Sequence, residues 1–149
     1  MDQRFSVHNA HWNSANPLQT FEQQDPQFKQ FNTSPYVFYS SLLQELPTTI
    51  PGIYTIEGGR QIGKTTLLKQ WMLQLMKSGI HPHAVLFLTG EMIDDHHNLI
   101  KTIQSQLALM DQSGLCFVII DEITYIKDWD KGVKFLADGG MLENVVLVL

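Results

Sequence analysis

Cysteine is almost missing from this sequence: Cys116 stands alone in the apolar run from Leu115 to Ile120, where it suits a small core residue and can form no internal disulfide. A disulfide-stapled secreted scaffold is excluded, and a reducing, cytoplasmic setting is expected. Long apolar runs are missing too. No stretch approaches the roughly 18 residues needed to span a bilayer, and the polar N-terminus lacks the apolar core of an export signal. Nor is there an excess of basic charge. Ten Lys and Arg face 15 Asp and Glu, giving a formal net charge of -5, so the surface is not one broad footprint for nucleic acid or anionic lipid. Neither nucleic acid nor a membrane is indicated as a partner.

The 149 residues, 44% of them hydrophobic, are enough for one sizeable core. Residues 1–51 form a polar leader rich in Gln, Asn, Ser and Pro. Its aromatics, Phe5, Trp12, Phe21, Phe28, Phe31, Tyr36, Phe38 and Tyr39, show no sustained period. They are too many for a free tail, so parts of the leader are expected to pack on the domain that begins at residue 52, with Leu42, Leu43 and Leu46 in a helical turn.

From residue 52 to residue 149 the texture becomes short apolar runs alternating with segments of helical period, the pattern of βαβ units and a parallel sheet. The fold class is α/β. The expected strands are 53–57, 84–88, 115–120 and 145–149. The helices between them carry Leu67, Leu68, Trp71, Met72, Leu75 and Met76, then Leu99, Ile100, Ile103, Leu107 and Met110, then Val133, Leu136 and Ala137. Asp94 and Asp95 suit the start of the second helix, while Gly79 ends the first and Gly139-Gly140 breaks the third.

Between the first strand and first helix lies Gly58-Gly59-Arg60-Gln61-Ile62-Gly63-Lys64-Thr65, which meets G-x-x-x-x-G-K-[ST] at every fixed position and is followed by Thr66. Such a strand–loop–helix passage aims backbone N–H groups and a positive helix end at phosphate oxygens. The nucleotide-binding set is therefore Gly58 through Thr66. Lys64 reaches the terminal phosphates as a catalytic point charge, and the Thr65 hydroxyl ligates Mg²⁺. Arg60, Gln61 and Thr66 receive no catalytic role, since a solvated loop and an ordinary helix start explain them equally well.

At the end of the third strand, Asp121 and Glu122 come after four apolar residues, where a parallel strand delivers its carboxyl end to the ligand-binding edge. Asp121 is placed to hold the Mg²⁺ shell opposite Thr65, and Glu122 to polarise an attacking water as the second catalytic residue. A solvated acidic loop running on to Asp128 and Asp130 is the plainer alternative.

Gly-Gly-Arg-Gln-Ile-Gly-Lys-Thr-Thr from Gly58 and Val-Ile-Ile-Asp-Glu-Ile-Thr-Tyr-Ile-Lys-Asp-Trp from Val118 resemble the prokaryotic AAA-like P-loop ATPases. There the loop is G-P-R-Q-x-G-K-T-T, and the acidic strand is followed by a tyrosine and a tryptophan. The resemblance begins near Asp25-Pro26, takes in Ser34-Pro35-Tyr36 and Leu42-Leu43, and departs at Gly59, where the family has proline. It implies ATP as the nucleotide, a sheet order of 5-1-4-3-2, and, after strand four, a polar sensor residue, a fifth strand and further helical parts. A chain stopping at Leu149 is accordingly expected to be a truncated or split product, with the first strand as an open edge unless the leader or another chain covers it. The partners so implied are ATP and either self-association or a C-terminal ATPase half.

Several tempting residues receive no site assignment. Thr89 is taken as a loop threonine, Glu91 as a surface carboxylate, His81 and His83 as a turn, and Trp129 as a packing residue. His96 and His97, adjacent on a helix, are expected to point apart and suit one metal poorly. Three functions stay open: an Mg-ATP hydrolase, a nucleotide-binding module that does not hydrolyse without a partner, and a small-molecule kinase. The adjacent Asp-Glu pair and the lack of an Arg-rich lid speak against the kinase.

Overall fold

The computed structural model describes residues 1–33, 41–57 and 63–149. The leader positions Ser34, Pro35, Tyr36, Phe38 and Tyr39 fall outside the described residues.

Four strands, β1 (Gly52–Tyr54), β2 (Val85–Thr89), β3 (Cys116–Asp121) and β4 (Val145–Val148), form one parallel sheet in the order β1-β4-β3-β2. Successive strands are joined by crossovers through helices α4 (Lys64–Lys77), α5 (His96–Leu107) and α6 (Trp129–Asp138), as parallel pairing requires. Val85, Phe87, Phe117, Ile119, Val146 and Val148 face α4, whose Leu68, Trp71 and Met72 are buried against them. Leu86, Leu88, Val118, Ile120, Val145 and Leu147 face α5 and α6 through Leu99, Ile103 and Leu136. Both faces being covered explains why these strands are continuous apolar runs instead of alternating ones.

Strand bounds differ from the sequence expectation by small, interpretable amounts. β3 runs on to Asp121 because that residue pairs with Thr89. β1 covers only Gly52–Tyr54, although Leu149 N–H still donates to Tyr54 O (2.8 Å) and Ile56 N–H to Leu149 O (2.9 Å). The start of α5 is capped as expected, with the Asp95 carboxylate accepting from Asn98 N–H at 2.9 Å.

Where it is described, the leader is a set of short helices: α1 (Gln3–Ser6), α2 (Pro17–Gln24) and α3 (Pro26–Thr33), with 3-10 turns at Ala10–Asn13 and Ser41–Gln44. Phe5, Trp12, Phe21, Phe28 and Leu43 are buried within the two cores that flank the sheet. Each such side chain contributes about 2 kcal/mol by leaving water.

Side chains of the leader also close the outer edge of β2. Asn9 pairs with Phe87 through both ends of its amide, Nδ2 donating to Phe87 O (2.7 Å) while Oδ1 accepts from Phe87 N–H (2.8 Å). Trp12 Nε1 donates to Val85 O at 2.8 Å, and His11 Nε2 lies 2.9 Å from the same oxygen. One asparagine therefore imitates a neighbouring strand residue and blunts an edge that would otherwise invite pairing. Among the described residues no strand pairs with the outer edge of β1, where Ile53 is 45% exposed.

A second tether is an ion pair. Lys69 Nζ on α4 lies 2.6 Å from Asp25 Oδ2, with the two side chains 1% and 0% exposed. It also donates to His8 O at 3.0 Å and sits 3.8 Å above the Phe87 ring centroid. Burial pulls the Lys69 ammonium down to about 8, against the pull of the Asp25 charge. Removing either partner leaves an unpaired buried group, a loss of about 3–5 kcal/mol.

Burial also holds His11 neutral, pushing it down to about 4. A carbonyl can only accept, so Nε2 carries the proton, and Nδ1 is buried without a partner for a second one. The unfolded chain takes up a proton near pH 6.5 that the folded chain refuses until about pH 4, so stability falls with pH across that window. Between pH 7 and pH 4.5 this amounts to about 2–3 kcal/mol, readable from urea unfolding midpoints. His11→Gln keeps the N–H to Val85 O and should lose less over that interval than the parent. Equal losses in the two proteins would show that His11 is not the group responsible.

Candidate functional site

Parallel strands with crossover helices bring the carboxyl ends of β1, β3 and β4 to one rim, and a cleft of about 850 Å³ opens there. It is lined by Thr55, Ile56 and Glu57 after β1, by Gly63, Lys64, Thr65 and Thr66 at the start of α4, and by Glu122, Ile123 and Thr124 after β3. The size falls within the range of small-molecule sites. Gly58, Gly59, Arg60, Gln61 and Ile62 of the expected phosphate loop lie outside the described residues.

Gly63 precedes α4 with φ +81°, a left-handed conformation that a side chain would strain. It brings no side chain to cap the helix, and Leu67 N–H bonds back to Gly63 O at 2.9 Å. By position, the N–H groups of Lys64, Thr65 and Thr66 have no carbonyl one turn earlier in the helix. They form the positive end of a helix of 14 residues, and Lys64 itself lines the cleft. That end favours an anion.

Thr65 and Asp121 meet across this rim. The Thr65 hydroxyl donates to Asp121 Oδ2 at 2.5 Å, joining residues 56 positions apart, and Asp121 is 5% exposed. The other Asp121 oxygen accepts from Glu122 N–H at 3.1 Å. Both side chains offer hard oxygens, the kind a magnesium ion takes. Two protein oxygens make no complete cage, which fits a cation that shares its shell with phosphates and water. Among the described residues no group of three or more His, Cys, Asp and Glu is arranged to hold a metal on its own.

Glu122 begins the turn out of β3 with φ +57°, a conformation uncommon for a residue with a side chain. Asp128 has φ +56° at the start of α6. Between them, Ile123 and Ile126 bury themselves in the core below while Thr124 and Tyr125 stay exposed. The constraint that holds Glu122 comes from the neighbouring strand. A Cβ added at Gly90, directly after β2, would stand 2.2 Å from Glu122 O, so only glycine lets the two loops approach this closely.

The sequence singled out Thr89 and Glu91 on either side of Gly90 but not Gly90 itself. It also missed Gln27 and Gln30 of α3, which line the same cleft. Trp129 both packs against the core and lines the cleft. The His96 and His97 rings do not point apart: their centroids are 4.0 Å from each other. His81 Nδ1 lies 3.4 Å from Asp111 Oδ2, and His83 stacks on Trp12, so both serve the turn before β2.

Gly90→Ala should cost about 1–3 kcal/mol, the usual penalty of overpacking. Gly114→Ala, where an added Cβ meets nothing within 4 Å, provides the control and should change stability by less than about 0.5 kcal/mol. Urea unfolding of the two variants measures the difference, and equal costs would contradict the close approach to Glu122.

A protein-family model described as an AAA domain matches residues 51–149. No curated protein and no solved structure matches the chain.

Proposed function

The chain belongs to the AAA domain family, and on that premise we propose that it binds Mg-ATP and hydrolyses it. Nucleotide binding of the P-loop kind comes with membership; ATP, magnesium and turnover rest on the site. The observation that supports them most is the 2.5 Å contact between Asp121 and Thr65, which lines the cleft together with Lys64 and Glu122.

Phosphoryl transfer is mostly positioning and charge stabilisation, so a small set of groups suffices. The α4 N-terminus and Lys64 take the phosphate charge. Thr65 and Asp121 would hold magnesium, which when bound supplies further positive charge to the phosphates. Glu122 orients a water and accepts its proton as the oxygen attacks the terminal phosphorus. The bond to the bridging oxygen breaks, ADP departs with that electron pair, and the proton leaves with inorganic phosphate or solvent. With Cys116 buried and no partner thiol in the sequence, the cytoplasm is the proposed setting.

Phosphate release tests the assignment. Glu122→Gln should slow turnover by about 10²-fold or more, while leaving the ATP dissociation constant within about threefold. Lys64→Ala should weaken ATP binding by about tenfold or more. Unchanged turnover in Glu122→Gln would remove Glu122 from the chemistry. ATP binding with no turnover in the parent chain would favour a nucleotide-binding module that needs a partner to hydrolyse.

A further inference from the structure

Helix α3 of the leader reaches the cleft. Gln27 and Gln30 line it alongside Lys64, Thr65 and Thr66, and Gln27 Nε2 donates to Thr66 Oγ1 at 2.6 Å. A threonine hydroxyl has a single proton to give and two lone pairs to receive with. With one lone pair engaged by the Gln27 amide, the proton is left to point elsewhere, and both residues line the cleft.

We propose that Gln27 is a positioning residue for the nucleotide: by donating to Thr66, it fixes the Thr66 hydroxyl as a hydrogen-bond donor to the bound polyphosphate. The proposal rests on the phosphate-site reading above and adds a part of the leader to that site.

The geometry that holds Gln27 in place is specific. Asp25 stands between α2 and α3 and divides its two carboxylate oxygens between two tasks. Oδ1 accepts from the N–H groups of Gln27 (2.9 Å) and Phe28 (3.4 Å), capping α3, whose first residue is Pro26. Oδ2 takes the Lys69 ammonium at 2.6 Å. Lys69 lies three residues beyond Thr66 on α4, so the buried pair clamps the first turn of α3 to α4 one turn away from the hydroxyl that Gln27 touches. Phe28, buried in the core beside α4, fixes the helix rotation.

The choice of an amide fits an anionic ligand. A neutral glutamine orders the hydroxyl without adding negative charge beside the phosphates. A glutamate at position 27 would accept the Thr66 proton, turn the hydroxyl away from the ligand and repel it.

The test is a double-mutant cycle on Mg-ATP affinity, measured by calorimetry for the full chain, Gln27→Met, Thr66→Val and the double variant, with Lys64→Ala alongside. Gln27→Met should weaken binding about threefold to tenfold, the worth of one hydrogen bond. In the Thr66→Val background the same change should have no further effect, because the hydroxyl through which Gln27 acts is gone. Gln27→Glu should weaken binding more than Gln27→Met does. A general structural role would lower affinity equally in both backgrounds, and that additivity would overturn the proposal, as would unchanged affinity in Gln27→Met. If the parent binds Mg-ATP and Lys64→Ala binds it about tenfold or more weakly, failure of the cycle strikes Gln27 alone. If the parent does not bind, or Lys64→Ala binds as the parent does, the phosphate-site reading falls and this inference with it.

Discussion

A parallel sheet buried on both faces allows its strands to be joined only by crossovers, and crossovers deliver every strand's carboxyl end to the same rim. Here that constraint brings Asp121, at the end of β3, within 2.5 Å of Thr65, at the start of the helix after β1, with β4 lying between the two strands. The contact is local in space and remote in sequence. The apolar runs at 85–88, 117–120 and 145–148 are buried, and their parallel register sets Asp121 beside Thr89 at the carboxyl end of the sheet.

The leader solves the problems that such a sheet leaves open. An edge strand needs its outward N–H and C=O groups satisfied, and for β2 this falls to side chains of Asn9, His11 and Trp12 in place of a neighbouring strand. A crossover helix carrying a lysine on its buried face needs a counter-charge, and Asp25 provides it. The ammonium sits among Phe21 and Phe87, whose ring faces offset part of its lost hydration. Such a pair adds little over two apolar residues of equal volume, but losing one partner strands the other charge in the core. The N-terminal segment thus enters both cores and reaches the wall of the cleft, so sheet, leader and site are packed as one unit wherever the chain is described.

Much of this was legible in advance because the relevant signals are periodic or local. Strand runs such as Phe117–Ile120 and the helix positions Leu68, Trp71, Met72 and Leu75 repeat with the spacing of their elements, and Asp95 caps where a carboxylate before a helix should. The sheet order β1-β4-β3-β2 agrees with what the family resemblance implied for these four strands. The leader was opaque for the opposite reason. Helices of four to eight residues are too short to display a period, and its decisive contacts are single side chains meeting backbone 73 to 78 positions away. Gln27 carries no chemical signature of its own, and its partner Thr66 is 39 positions distant. Gly90 differs from any loop glycine only through the 2.2 Å that a Cβ would leave to Glu122 O, a quantity that exists only in three dimensions.

In the proposed function, Thr65 and Asp121 together hold the cation that accompanies the nucleotide. The most direct test is a pair of ATP titrations, with and without Mg²⁺, on the parent chain and on Asp121→Asn. Magnesium is expected to tighten ATP binding to the parent by about tenfold or more, and Asp121→Asn to lose this gain while its magnesium-free affinity stays within about threefold. An equal gain from magnesium in both proteins would contradict this role and leave Asp121 a buried acid that merely anchors the end of β3.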